Sequence, residues 1–198
     1  MKIAILGGSF DPPHLGHLNA AQQAIELLRL DQVWLMPCFS HAFDKRLSSA
    51  KQRLAMCRLL QTSNILVSDL EIQKGGISYS WETLQLLKQQ FPQNDFYWIV
   101  GSDQLADFTK WYKWQELLKN ERLIFFPRNK DIQQTKKQLP QLTGKNILSE
   151  NIIFLEKAKT VDISSTLIRE RINKKLPIID FVGEKINCYI ENNLVSSP

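Results

Sequence analysis

Cysteine is scarce in this chain of 198 residues: Cys38, Cys57 and Cys188 are scattered and odd in number. Their spacing fits neither a disulfide framework nor a zinc site, and points to free thiols in a reducing cytoplasm. No hydrophobic run is long enough for a membrane span, and no leader with a cleavable apolar core is visible, so a cytoplasmic protein is expected. The dinucleotide pattern Gly-x-Gly-x-x-Gly does not occur. Lysines do not run together either: Lys136-Lys137 and Lys174-Lys175 are isolated pairs without interleaved aromatics. A solvated surface accounts for them better than a nucleic-acid site, and no nucleic-acid partner is expected. What is present is a chain with 43% hydrophobic and 23% charged residues, which fits one globular domain over residues 1–198. Its net charge of +5 favours anionic partners, and small phosphorylated ligands suffice.

Apolar runs and helical patterns alternate. The runs at 3–6, 32–36, 64–67, 96–100, 123–126 and 152–155 predict strands. Helical spacing follows His14, with Leu18, Ala21, Ala24, Ile25 and Leu28 on one face, and recurs around Leu54 to Leu60, at 80–91, 111–118, 165–173 and 182–192. The polar stretch 130–149, which holds Pro140 and Gly144, reads as a weak helix plus loop or a mobile insert. The alternation predicts an α/β fold: a Rossmann-like, doubly wound parallel sheet with a small C-terminal helical segment. Ligands of such sheets bind beyond the carboxyl ends of the strands. The loops after Gly7, Pro37, Gly101 and Val161 are therefore expected to converge on one crevice.

Residues 7–17 read Gly-Gly-Ser-Phe-Asp-Pro-Pro-His-Leu-Gly-His directly after the first predicted strand. Gly7 and Gly8 allow a tight turn and close approach of backbone to ligand. Pro12 and Pro13 stiffen the loop and remove two N–H donors. A strand, a glycine turn and a helix N-terminus make an anion site, here with two imidazoles at its mouth. The residues alone leave two other readings: Asp11, His14 and His17 as ligands of a hydrolytic metal site, or both imidazoles as structural groups. The remaining histidine, His41, stands alone and no cysteine cluster supports a metal. Far downstream, Ser164, Ser165 and Thr166 suit a helix start, and Arg169 lies one turn further on, where its planar fork can reach an anion at that N-terminus.

These two segments carry a resemblance. Residues 9–17 resemble the His-x-Gly-His motif of the nucleotidyltransferase superfamily, and residues 163–169, Ile-Ser-Ser-Thr-Leu-Ile-Arg, resemble its Ile-Ser-Ser-Thr-x-x-Arg motif. Within that superfamily the chain resembles the bacterial nicotinate-nucleotide adenylyltransferases from Met1 to about Leu194. The resemblance implies transfer of AMP from ATP to nicotinate mononucleotide, giving deamido-NAD and pyrophosphate in NAD biosynthesis. Nicotinamide mononucleotide is a second candidate acceptor. Related adenylyl transfer to pantetheine phosphate, cytidylyl transfer, and a non-catalytic nucleotide sensor on the same fold are the alternatives. Mg²⁺ is expected to arrive with ATP, because no carboxylate cage of its own is visible. A homo-oligomer is compatible with the sequence.

The resemblance also distributes roles. His14, His17 and Arg169 would be catalytic, holding the triphosphate, with Lys45 as a further phosphate-neutralising cation or a plain surface lysine beside Asp44. Gly7, Gly8, Ser9, Phe10, His14, His17, Gly101, Asp103, Ile163, Ser164, Ser165, Thr166 and Arg169 would bind ATP, Asp103 through ribose hydroxyls. Ser9, Phe10, Tyr79, Ser80, Thr83, Trp111, Tyr112 and Arg128 would bind the mononucleotide. Trp111 is the expected stacking partner of the pyridine ring, Trp114 is expected in the core, and Arg171 is expected to be exposed. Ser80 stands where the family has threonine, Trp81 is bulkier than the usual aliphatic residue, and His41-Ala42-Phe43-Asp44-Lys45-Arg46 replaces Pro-Pro-His-Lys.

Overall fold

The computed structural model describes residues 1–43, 46–128, 132–143 and 150–193. Among these residues six strands form one parallel sheet: β1 (Lys2–Gly8), β2 (Gln32–Pro37), β3 (Ile65–Val67), β4 (Asp95–Gly101), β5 (Arg122–Phe126) and β6 (Ile152–Phe154). Their order is β3-β2-β1-β4-β5-β6, the doubly wound arrangement expected. The chain winds outward from β1 to β3, then returns to place β4 beside β1 with Ile3 opposite Phe96 and Ile5 opposite Trp98. This reversal of direction opens a crevice beyond Gly8 and Gly101.

Strand alternation explains the unbroken apolar runs. Ala4, Leu6, Val33, Leu35, Ile99 and Ile124 face one core, while Ile3, Ile5, Phe96, Trp98, Val100, Leu123 and Phe125 face another. Both faces are covered, so both parities must be apolar. The helices are α1 (Leu15–Leu28), α2 (Ala50–Arg58), the short α3 (Leu70–Lys74), α4 (Ser80–Gln90), α5 (Trp114–Asn120), α6 (Ile132–Thr143), α7 (Ser165–Asn173), α8 (Ile179–Val182) and α9 (Glu184–Asn193). The first core is closed by Ala21 and Ala24 of α1, Met56 and Cys57 of α2, Ile168 of α7, and Ile186 and Ile190 of α9. Leu84 and Leu87 of α4, Leu117 and Leu118 of α5 and Leu139 of α6 close the second.

Several boundaries differ from the expectation. The helix expected at 111–118 begins at Trp114, because Lys113 adopts a left-handed conformation (φ 52°). Trp111 instead terminates a 3-10 segment, Ser102–Lys110, that apolar spacing did not reveal. The last helix is broken at Gly183 (φ 77°), which separates α8 from α9. Residues 132–143 of the polar stretch are helical despite Pro140, with Ile132 and Leu139 buried at a spacing of seven. No helix among the described residues is long and apolar enough to cross a membrane.

Candidate active site

A cavity of about 860 Å³ occupies the crevice. Its floor is the turn after β1. A Cβ on Gly7 would collide with the Trp98 indole, so glycine is required where β1 passes β4. Phe10 (φ 50°) turns into the core and lies under His17, ring centroids 4.6 Å apart. His14 is the N-cap residue of α1, and a Cβ on Gly16 would sit 2.9 Å from His14 Nδ1. The glycine between the two histidines therefore makes room for the first imidazole over the opening turn.

His14 and His17 stack with centroids 3.7 Å apart, and the His14 backbone N–H donates to His17 Nδ1 at 3.2 Å. A bond accepted at Nδ1 leaves Nε2–H as the donor of His17. Both rings are held neutral. Burial first, and Arg128 second, push His14 down to about 3. Burial, the neighbouring His14 and Arg128 lower His17 well below the ordinary imidazole range. The positive end of α1 acts in the same sense. Neither ring nitrogen of His14 finds a hydrogen-bond partner among the described residues.

The distant segment 163–169 docks directly onto this loop. Ser164 caps α7, its Oγ accepting from Leu167 N–H at 3.1 Å. Ser165 Oγ donates to the Pro12 carbonyl at 2.8 Å, and Arg169 Nη1 donates to the Asp11 carbonyl at 2.6 Å. The second arm of Arg169 donates to Thr166 Oγ1 at 3.2 Å. The guanidinium is thus positioned by the histidine loop while it lines the cavity. Asn19 and Gln23 of α1 donate to the Lys159 carbonyl at 2.9 and 2.6 Å and hold the approach to this segment.

On the opposite wall, Ser102 Oγ donates to the Arg128 carbonyl (2.9 Å) and accepts from its N–H (2.7 Å), joining the ends of β4 and β5. A Cβ on Gly101 would collide with the Asp103 carboxylate. Asp103 Oδ2 lies 3.9 Å from Arg128 Nε, and its buried Oδ1 has no hydrogen-bond partner among the described residues. An orphaned carboxylate oxygen beside a cavity is suited to accept a ligand hydroxyl. Further round, Tyr79 and Tyr112 approach to 4.8 Å between centroids. Trp111 packs on Phe108 at 5.2 Å and keeps one side toward the cavity.

Gly7, Gly8, Ser9, Phe10, His14, His17, Tyr79, Ser80, Gly101, Asp103, Trp111, Tyr112, Arg128, Ile163, Ser164, Ser165, Thr166 and Arg169 all line this one space. Thr83 does not: it is buried, with Oγ1 2.6 Å from Glu71 Oε1 and 3.1 Å from the Tyr79 carbonyl. Lys45 lies outside the described residues, whereas its neighbour Arg46 lines the cavity. Trp114 is half-buried against the second core, in keeping with its expected place. Arg171 is half-buried rather than exposed, because it donates to the Pro177 carbonyl at 2.8 Å and lies over the Phe181 ring.

Two residues escaped the sequence reading. Arg53, fully buried, donates to the carbonyls of Ser48 (3.0 Å), Ser9 (2.8 Å) and Phe39 (2.9 Å), tying the histidine loop to the loop after β2. Glu71 is a buried acid of the cavity wall. Serine at Ser49, followed three residues later by Gln52, marks the capping box that starts α2, and an arginine one residue later was the one available signal for Arg53.

Residues 5–171 match the cytidylyltransferase-like family. A probable nicotinate-nucleotide adenylyltransferase of Methylacidiphilum infernorum is 35% identical over 100% of this chain and 93% of its own length. The nicotinate-nucleotide adenylyltransferase of Bacillus subtilis is 31% identical over 97% of this chain and 96% of its own. Among solved structures, the Plasmodium falciparum nicotinic acid mononucleotide adenylyltransferase complexed with NaAD superposes with a TM-score of 0.78 at 25% identity, covering 98% of this chain and 96% of that one. The similarity runs the full length of the chain, and the chain belongs to the cytidylyltransferase-like family and, within it, to the nicotinate-nucleotide adenylyltransferases, as a nucleotidyltransferase enzyme.

Proposed function

We propose that this enzyme transfers AMP from ATP to nicotinate mononucleotide, releasing pyrophosphate and forming deamido-NAD. The observation that carries this reading is the meeting of His17, Arg169, Asp103 and Trp111 around one cavity of about 860 Å³, toward the upper end of small-molecule sites. A phosphate oxygen of the acceptor attacks the α-phosphorus of ATP, a new P–O bond forms, and the bond to the β-phosphate oxygen breaks with pyrophosphate leaving in line. No protein nucleophile is needed. The protein must bring two polyanions together and stabilise charge on the phosphoryl oxygens.

Neutral imidazoles suit this role, since their N–H groups donate to phosphate oxygens without giving up the proton. His17 Nε2–H serves the reacting phosphate, His14 its neighbour, and Arg169 the β- and γ-phosphates, backed by the α7 N-terminus. Gly7, Gly8, Ser9 and Phe10 bring backbone close to both nucleotides, and Gly101 leaves Asp103 free to accept ribose hydroxyls. Ile163, Ser164, Ser165 and Thr166 form the wall along the triphosphate. Trp111, with Tyr79, Ser80, Tyr112 and Arg128, receives the mononucleotide, and Thr83 supports Tyr79 from behind. Mg²⁺ comes with the triphosphate and supplies further charge neutralisation; among the described residues, no group of three or more His, Cys, Asp or Glu is placed to hold a metal.

Pyrophosphate release measured with ATP and nicotinate mononucleotide, with nicotinamide mononucleotide in parallel, tests the reading. Release that requires both ATP and the nicotinate acceptor is expected. No release with either mononucleotide would reduce the protein to a nucleotide-binding module.

A further inference from the structure

After β6 the chain returns toward α1 through residues 155–164, which form neither helix nor strand. Thr160, Val161 and Ile163 of this crossing line the cavity. Ala158 and Ile163 pack against the first core. Between those two anchors, among the described residues, Lys159 alone has its backbone bonded to another element.

Lys159 is held by two side-chain amides of α1. Gln23 Oε1 accepts from the Lys159 N–H at 2.6 Å, and Gln23 Nε2 donates to the Lys159 carbonyl at 2.6 Å. Asn19 Nδ2 donates to the same carbonyl at 2.9 Å. The second proton of Gln23 Nε2 goes to Asn19 Oδ1, also at 2.9 Å. The protons balance: both N–H groups of Gln23 donate, its oxygen accepts, and the Lys159 carbonyl uses both lone pairs. Four residues apart, Asn19 and Gln23 share one face of the helix. Their amides pair with both polar groups of one backbone residue, as a neighbouring strand would. Asn19 lines the cavity as well; Gln23 does not.

The far end of the crossing is fastened separately, by Ser165 on the Pro12 carbonyl and Arg169 on the Asp11 carbonyl. With the triphosphate at that end and the acceptor beside Trp111 and Tyr112, the wall of Thr160, Val161 and Ile163 is left for the nucleoside of ATP. We infer that Gln23 is a positioning residue for the donor nucleotide: with Asn19 it pins Lys159 and so holds that wall in place. The inference rests on the proposed function. Without the clamp the wall has to be ordered each time ATP binds, which weakens binding. His17 and Arg169 keep their own supports, so the chemical step and the acceptor are spared.

Calorimetric titration with ATP and Mg²⁺, together with steady-state kinetics in ATP and nicotinate mononucleotide, tests this on wild type, Gln23→Ala and Gln23→Glu. Alanine and glutamate are both good helix formers, so α1 is kept. Gln23→Ala should weaken ATP binding and raise the ATP KM about five- to tenfold, with kcat and the acceptor KM within about twofold. Gln23→Glu keeps the size but loses the donor, setting carboxylate oxygens against the Lys159 carbonyl and Asn19 Oδ1, and should weaken ATP binding as well. Unchanged ATP affinity in the alanine variant overturns the inference, as does an equal rise in both KM values. Wild-type behaviour of Gln23→Glu overturns it too, because packing alone would then explain the contact. If Gln23→Ala does not fold, Gln23→Glu decides alone. Wild type that binds ATP without turnover refutes the proposed function while the calorimetry still decides the inference; wild type that does not bind ATP refutes both.

Discussion

Acid should weaken the folded protein through His14 in a way that can be isolated. In the fold its imidazole is pushed down from 6.5 to about 3 by burial and by Arg128. In the unfolded chain it titrates near 6.5. Above that pH both states hold it neutral and it makes no difference. Below it, the unfolded chain takes up a proton that the folded one refuses, so stability is lost as pH falls from 6.5 toward 3. From about pH 7 to about pH 4.5 the His14 share of that loss comes to about 2.5 kcal/mol. His14→Gln removes the titration and keeps a polar planar group. Urea unfolding at both pH values should show the wild type losing about 2.5 kcal/mol more than the variant over that interval. Glu71 works in the opposite sense: its folded carboxyl is raised and therefore stabilises as pH falls through its folded pKa. It is common to both proteins and drops out of the difference. Equal losses in wild type and variant would mean that the His14 ring is protonated or solvated in the fold, and the neutral-donor account of the site would fail.

Three substitutions probe the rest of the cavity. His17→Ala should lower kcat at least about a hundredfold while the thermal midpoint stays near the wild-type value; unchanged turnover removes the assigned role. Trp111→Ala should raise the acceptor KM about tenfold or more and leave the ATP KM nearly unchanged, and equal effects on both substrates would move the stacking site elsewhere. Gly16→Ala places a methyl 2.9 Å from His14 Nδ1. A loss of about 1–3 kcal/mol in unfolding experiments, together with lower kcat, is expected; a variant normal in both would show that the ring does not need that space.

What could be read from the sequence was what repeats along the chain. The strands announced themselves because both faces of the sheet are covered, leaving unbroken runs such as Phe96 to Val100. The two site segments were legible because their features have local causes: Gly7 under Trp98, Gly16 under His14, Ser164 as a cap. Short elements without a full apolar period were not legible, so α3 and the 3-10 segment Ser102–Lys110 went unread, and with them the position of Trp111 at the end of a segment rather than inside a helix. Thr83, expected at the mononucleotide, does not line the cavity, and the reason is related. Helical spacing puts it one turn after Tyr79, but only the tertiary structure shows that its hydroxyl points to Glu71.

Arg53 and Arg169 show why the site's charge balance could not be read from pairs of opposite residues. Arg53 donates to the Ser9 carbonyl and Arg169 to the Asp11 carbonyl, while Ser165 holds the Pro12 carbonyl and Ser48 N–H holds Asp11 Oδ2 at 3.0 Å. The loop between β1 and α1 is therefore clamped from the α2 side and from α7, by bonds to three of its carbonyls and to the Asp11 carboxylate. A carboxylate partner for either arginine would hold the guanidinium as firmly but would cancel its charge. Carbonyl ligands satisfy the N–H donors and leave the positive charge in place. Burying such a cation costs more than burying an ion pair, and the cost is offset only where several hydrogen bonds are formed, as the three of Arg53 are. The result is a rigid loop in a positive field, with neutral imidazoles at its mouth. Two mutually repelling polyanions need that combination, because the field lowers the cost of bringing them together and the neutral donors do not surrender a proton to either.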